Sequence, residues 1–319
     1  MSTASSFDYG MPSALTNDTL PVAFDDPTSD HGAPRSTLLV VFLTLQIAGS
    51  HVLLPFLLGT FWFTSAKRNV TLTNLFVCFT LTGVVMCILL YGNQYRPTAP
   101  DPAWCKAQAA LSFAVAPMDS MAVLCVLYHV WNSLRIAHGG REFKSMFANV
   151  LAKIPAIAPY LVGLAFGTAG VGEVHRDPAS AKLRQDVLFF CTLPDGPYAL
   201  STTIATAIPL VVSLYFIASI TITLVKRTRT RDRSSTATLV NMDVAFISRI
   251  VLYGAYVVLG VVLTALSAFF STPAPDIFSA TIPVFLAVLF GSQKDVLQAW
   301  RRIVFRTGPT DEKDAWTLV

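Results

Sequence analysis

The sequence predicts an all-α membrane protein, a bundle of seven transmembrane helices followed by a short amphipathic eighth helix. Three observations carry this. Apolar residues make up 53% of the 319 residues and charged residues only 13%, about half the roughly 25% charged share of an ordinary soluble chain. So few charges cannot cover a water-facing surface, and the mean hydropathy of +0.57 points the same way. The apolar residues fall in long continuous runs, which is the pattern of membrane-spanning helices. The basic residues gather in alternate connecting loops, as the two sides of a membrane require.

Residues 1–36 are polar and hold five aspartates, Asp8, Asp18, Asp25, Asp26 and Asp30. They lack the basic start and apolar stretch of a cleavable signal peptide. A disordered tail is expected here, with the first membrane helix serving as insertion signal. The bundle then occupies residues 37–293. Its apolar runs extend from about Leu38 to Phe63, Val70 to Tyr91, Ala107 to Trp131, Val150 to Val171, Tyr198 to Val225, Val244 to Phe270 and Ile277 to Ser292. A helix needs about 20 residues to cross the hydrocarbon core. The first six runs meet this, and the seventh is the shortest. Pro155, Pro159, Pro209 and Pro283 fall inside runs and are kink positions.

The basic residues set the orientation. One set of loops carries Lys67, Arg68, Arg135, Arg141, Lys144, Lys153, Lys226, Arg227, Arg229, Arg231 and Arg233, and the C-terminal segment adds Lys294, Arg301, Arg302, Arg306 and Lys313. With Arg249, early in the sixth run, this side holds 17 of the 23 basic residues. It is therefore expected to be cytoplasmic. The N-terminus is then extracellular and the C-terminus cytoplasmic, as an odd number of crossings demands. Asn17-Asp18-Thr19 becomes an outside glycosylation acceptor. The similar Asn69-Val70-Thr71 falls in an inner turn and is set aside. After the seventh run, Val296, Leu297, Trp300 and Val304 alternate with Lys294, Arg301, Arg302 and Arg306. Residues 294–306 thus read as an interfacial amphipathic helix, and 307–319 as a short cytoplasmic tail.

Five cysteines are present, none in a CxxC pair or metal-ligand spacing. Cys78, Cys87 and Cys125 lie inside apolar runs. Cys105 and Cys191 lie at outer edges, on the oxidising side where disulfides persist. They are expected to bond and to tie the outer loop before the fifth run across the third; two free outer thiols are the alternative.

Seven runs, an outside N-terminus and this cysteine pair resemble the architecture of G-protein-coupled receptors, over about residues 37–306. The stretch Phe290-Gly291-Ser292-Gln293-Lys294-Asp295-Val296-Leu297 and Arg249 are similar to divergent fungal seven-helix receptors. The resemblance implies a cell-surface receptor that senses an extracellular ligand and signals to a heterotrimeric G protein. The motifs of a typical rhodopsin-class receptor are absent: Tyr128-His129-Val130-Trp131-Asn132-Ser133-Leu134-Arg135 stands where Asp-Arg-Tyr is usual, and the seventh run lacks Asn-Pro-x-x-Tyr.

Ionisable groups inside a membrane are costly and serve as functional hypotheses. Asp119 lies 14 residues past Cys105, about 21 Å down a helix. That depth suits a water-filled polar core, with or without a cation, better than direct contact with an outer ligand. A plain buried aspartate satisfied by a nearby hydroxyl such as Ser120, or by a neighbouring helix, is the alternative. His129 sits nearer the inner end. It is a candidate for an inner polar lock with Asp243 or Arg249, or simply an interfacial histidine. Arg249 can also snorkel to the surface. The basic inner loops, with Arg135, Arg141, Lys226, Arg227, Arg229, Arg231 and Arg233, suit an acidic partner or anionic lipid, although topology alone accounts for their charge.

Other classes fit less well. A transporter or channel of small solutes is the runner-up, weakened by the lack of an internal repeat. A retinal protein needs a lysine in the seventh helix, and 277–292 has none. Paired carboxylates and nucleophile motifs are missing, so no enzyme is expected. No cofactor, metal or nucleic-acid partner is expected either.

Overall fold

The computed structural model describes residues 35–63, 70–94, 101–137, 146–178, 181–183, 189–193, 196–231, 241–267, 274–293, 296–298 and 300. These residues belong to one compact unit. α1 (Arg35–Gln46) runs into a π-helical stretch, Ile47–Leu53, and on into α2 (Leu54–Phe63). α3 (Val70–Met86) and the four-residue α4 (Ile88–Tyr91) come next, then α5 (Pro102–Ala137) and α6 (Met146–Arg176). A short hairpin of β1 (Lys182–Leu183) and β2 (Cys191–Thr192) separates α6 from α7 (Pro197–Arg231), α8 (Asn241–Ser267) and α9 (Ala274–Gly291). The strands are antiparallel, with Leu183 opposite Cys191. Within the described residues, the apolar runs of the sequence lie on helix apart from Cys87 and Ser292.

Five stretches among the described residues are long and apolar enough to cross a membrane: Thr37–Trp62, Pro102–Ile136, Ile154–Arg176, Pro197–Thr223 and Ala274–Gly291. Val70–Met86 and Ile247–Gly260 are apolar but shorter. This reverses part of the expectation from run length. The seventh run gains length because its helix starts at Ala274 rather than Ile277. The second loses length because its helix breaks at Cys87, whose backbone leaves the helical region.

Two local irregularities have identifiable causes. Pro55 has no N–H to donate to the carbonyl four residues back, and its ring crowds that carbonyl. The preceding turn widens, and the Leu54 N–H bonds Gly49 O, five residues back, which is the π pattern. At the α3–α4 break, the Leu90 N–H turns to Cys87 O at 3.0 Å. That leaves upstream carbonyls in need of other donors. Asn93, at φ 52°, then reverses the chain in the left-handed region, which asparagine tolerates better than most side chains. Asp101 starts α5 as its cap, accepting the Ala103 N–H at 2.8 Å, with Pro102 in the first helical position where no donor is lost.

Helices in lipid gain little from apolar burial against each other and rely on close packing. α6 meets α5 through Gly163, Gly167 and Gly170. A Cβ at Gly170 would stand 2.5 Å from Ala110 O, so only glycine allows this approach. Gly49 likewise lies against Pro283 of α9, where a Cβ would come within 2.8 Å of the proline ring. The main core joins α2, α3, α5, α8 and α9 through residues such as Leu57, Phe76, Leu127, Ile250 and Phe290.

Candidate functional site

One end of the bundle is organised by one covalent bond. Cys105 on α5 and Cys191 on β2 form a disulfide, with Cα atoms 5.3 Å apart, while Cys78, Cys87 and Cys125 are buried free thiols. The pairing expected from compartment logic is present, and the alternative of two outer thiols is removed. Phe189 and Phe190, just before β2, reach α1 and α9. Phe189 is buried between Phe42 and Ala280, its ring stacked on Phe42 with centroids 4.8 Å apart.

Gln108 links this cap to the helix break. Its side chain is fully buried. Nε2 donates to Val85 O at 3.2 Å and Met86 O at 3.0 Å. Oε1 accepts the Cys191 N–H at 2.9 Å. One amide therefore satisfies the carbonyls exposed by the break and the backbone of the disulfide-bonded strand. Sequence reading passed over Gln108. A signal existed: it is the polar residue one helical turn past Cys105, on the face that carries the disulfide.

Below the cap lies a polar core. The Thr82 hydroxyl of α3 donates to Asp119 Oδ2 at 2.8 Å. Of the two partners expected for a buried aspartate, the neighbouring helix supplies the hydroxyl, while Ser120 bonds Pro117 O at 2.9 Å. The physical reason is that Ser120 lies on the same helix. It points to its own backbone three residues back, while the residue facing Asp119 comes from the next helix. Tyr253 of α8 and Cys78 of α3 lie within electrostatic range of Asp119. Among the described residues, Asp119 Oδ1 and Tyr253 Oη of this core are buried without a hydrogen-bond partner, as is Ser213 Oγ elsewhere on α7. Buried polar atoms are nearly always paired with protein or ordered water, so this core calls for water or an ion. No group of three or more His, Cys, Asp or Glu side chains converges on a metal position among the described residues.

Near α1 a second polar island joins the outer half. The Ser50 hydroxyl donates to Gln46 Oε1 at 3.2 Å, and His51 hydrogen-bonds the Tyr91 hydroxyl.

At the opposite end lie the residues expected as candidates for a polar lock. His129 is exposed. Arg249 Nη2 reaches Ser292 O at 3.4 Å, a long bond that ties α8 to the end of α9 rather than to His129. Arg249 is close to the seventh run's terminal carbonyls, which are rich in unpaired acceptors, and these attract its guanidinium. The side chain of Asp243 lies outside the described residues. Trp300 Nε1 donates to Thr60 Oγ1 at 2.9 Å and its ring packs on Phe56. The start of the amphipathic segment thus docks on the inner end of α2.

The remaining basic candidates are spread along the inner ends. Arg135 is exposed, with its guanidinium over the Trp131 ring at 5.4 Å. Lys226 is exposed near the end of α7. The backbone of Arg227, Arg229 and Arg231 continues that helix, but their side chains, like Asn17, Arg141 and Arg233 as a whole, lie outside the described residues. Compared with known protein families and with curated proteins, the chain matches none.

Proposed function

We propose that this chain is a plasma-membrane receptor that senses an extracellular ligand and signals to a cytoplasmic heterotrimeric G protein. In this reading the helices make seven crossings, with the N-terminus outside. α3 and α4 together form the second crossing and α8 the sixth, and residues 294–306 form an amphipathic eighth helix on the inner leaflet. The observation that carries the reading is the disulfide between α5 and the outer hairpin. It holds a loop over the outer end of the bundle, where a ligand would contact it. α5 then runs from that loop past the Asp119 core to the inner surface.

The other features take roles consistent with this. The Asp119 core, with the Tyr253 hydroxyl of α8 nearby, is an internal site whose water or bound cation changes when that helix moves. The basic inner segment of Lys226, Arg227, Arg229, Arg231 and Arg233, with Arg141, faces the acidic surface of the partner. Asn17 carries a glycan on the outer tail. A ligand screen on cells with G-protein and arrestin readouts tests the proposal. A ligand that raises nucleotide exchange in the intact chain and not in Cys191→Ser supports it. Ligand-independent flux of a small solute through purified chain in vesicles, with no exchange on any G protein, would replace it with the transporter reading.

A further inference from the structure

The inner ends of α5 and α7 carry an arrangement that receptor signalling does not require. Arg135 lies 30 residues past Cys105 on α5, about 45 Å along the axis at 1.5 Å per residue. A bilayer is about 40–45 Å thick including both headgroup layers. With the disulfide at one face, Arg135 therefore falls in the headgroup layer of the other. The guanidinium does not extend straight to water. It folds back over Trp131, one turn nearer the membrane centre, at 5.4 Å from the ring centroid, and Nη2 donates to Asn132 Oδ1 at 3.2 Å. Trp131 in turn packs on Phe216 of α7 at 5.3 Å, and Tyr215 stands exposed beside Phe216. Among the described residues no carboxylate pairs with Arg135; Arg176 pairs with Glu173 on α6.

We infer that Arg135 and Trp131, where α5 packs on α7, form a binding site for the headgroup of an anionic phospholipid of the inner leaflet. The guanidinium offers several remaining N–H donors in a planar fork suited to phosphate oxygens. Stacking on Trp131 and the bond to Asn132 hold that fork in place before the lipid arrives, which lowers the ordering cost of binding. Phe216 provides an apolar wall against Trp131, one step deeper than Arg135, at the depth where the acyl chains begin. Charge, depth and aromatic floor together favour a lipid over an acidic protein surface, which would not reach below the headgroup plane. The leaflet follows from the orientation proposed above; the site itself does not depend on G-protein coupling.

Native mass spectrometry of the full chain, released from mixed phosphatidylcholine and phosphatidylserine bilayers without a G protein, tests this. Phosphatidylserine retention should exceed phosphatidylcholine retention in the unaltered chain. Arg135→Gln should lower it about fivefold, the factor one basic side chain contributes at an anionic surface. Arg135→Lys, which keeps the charge but not the fork, and Trp131→Leu, which removes the support, should each lower it about two- to threefold. Formation of the Cys105–Cys191 bond and an unchanged melting point identify the variants that fold. Arg135→Lys is conservative enough to serve if the others fail. Equal retention in all chains overturns the site. Loss in Arg135→Gln with full retention in Arg135→Lys and Trp131→Leu overturns it in favour of diffuse attraction. Displacement of the lipid by millimolar inorganic phosphate assigns the site to a free anion and overturns the lipid assignment. Unchanged retention together with lost G-protein exchange in Arg135→Gln overturns it in favour of a protein partner.

Discussion

At the scale of single residues, two side chains do more than their types suggest. Gln108 spends three hydrogen-bonding groups on three partners in two different elements. Leaving a buried backbone group unsatisfied costs about 1–3 kcal/mol. Gln108→Leu strands the Val85 and Met86 carbonyls and the Cys191 N–H together, so about 2–5 kcal/mol of stability should be lost. The check is a lower melting point in detergent, with faster amide exchange at both the α3–α4 break and β2. An effect confined to one of the two places would deny the link. Thr82→Val is a simpler case. It keeps shape and removes the donor to Asp119, a hydrogen bond to a carboxyl, and should cost about 1.5–3 kcal/mol if the carboxylate is charged. A melting point unchanged from the parent would show that water replaces the hydroxyl without loss. Asp119 itself could be singled out from the sequence, because a carboxyl in an apolar run is conspicuous. Its partner could not, since Thr82 lies 37 positions away and many hydroxyls share that run.

Among the elements, the irregular ones are the informative ones. Pro55 explains the widened turn before α2 from local chemistry alone. The break at Cys87 has no proline or glycine at that position to announce it, and it is held by Gln108 from another helix. This is why the second apolar run reads as one continuous span and folds as α3 and α4. α6 illustrates close packing: Gly170→Leu puts a branched side chain against Ala110 O, where even a Cβ stands at 2.5 Å. Overpacking of this kind typically costs about 1–3 kcal/mol, and backbone contact places it at the upper end. Gly172→Leu, on the same helix but with open space around its Cβ, is the control and should melt as the parent does. If both variants melted alike, the α5–α6 contact would not be what holds these helices.

For the molecule as a whole, the disulfide closes a segment of 86 residues that includes all of α6. Cross-links over loops of this size typically contribute about 2–4 kcal/mol. Paired Cys105→Ser and Cys191→Ser substitutions should lower the melting point and free the hairpin, while the α3, α5, α8 and α9 core stays helical by circular dichroism. Collapse of the helical signal would mean that the outer bond organises the whole bundle rather than its cap.

What the sequence determined by itself was the helical membrane character, the positions of the apolar runs within a few residues, and the two cysteines that bond. Each rests on quantities carried by short stretches: hydropathy, charge, and the side of the membrane that charge implies. Tertiary structure alone decided which helix supplies the partner of Asp119, that Arg249 turns to Ser292 and not to His129, that Gln108 joins the cap to the break, and that Arg135 lies on Trp131 against α7. In a membrane most runs are apolar on every face, so their sequences give little hint of which side meets which neighbour. That choice is made by steric fit at glycines and by the need of each buried polar atom for a partner, and both are settled only when all the helices are in place.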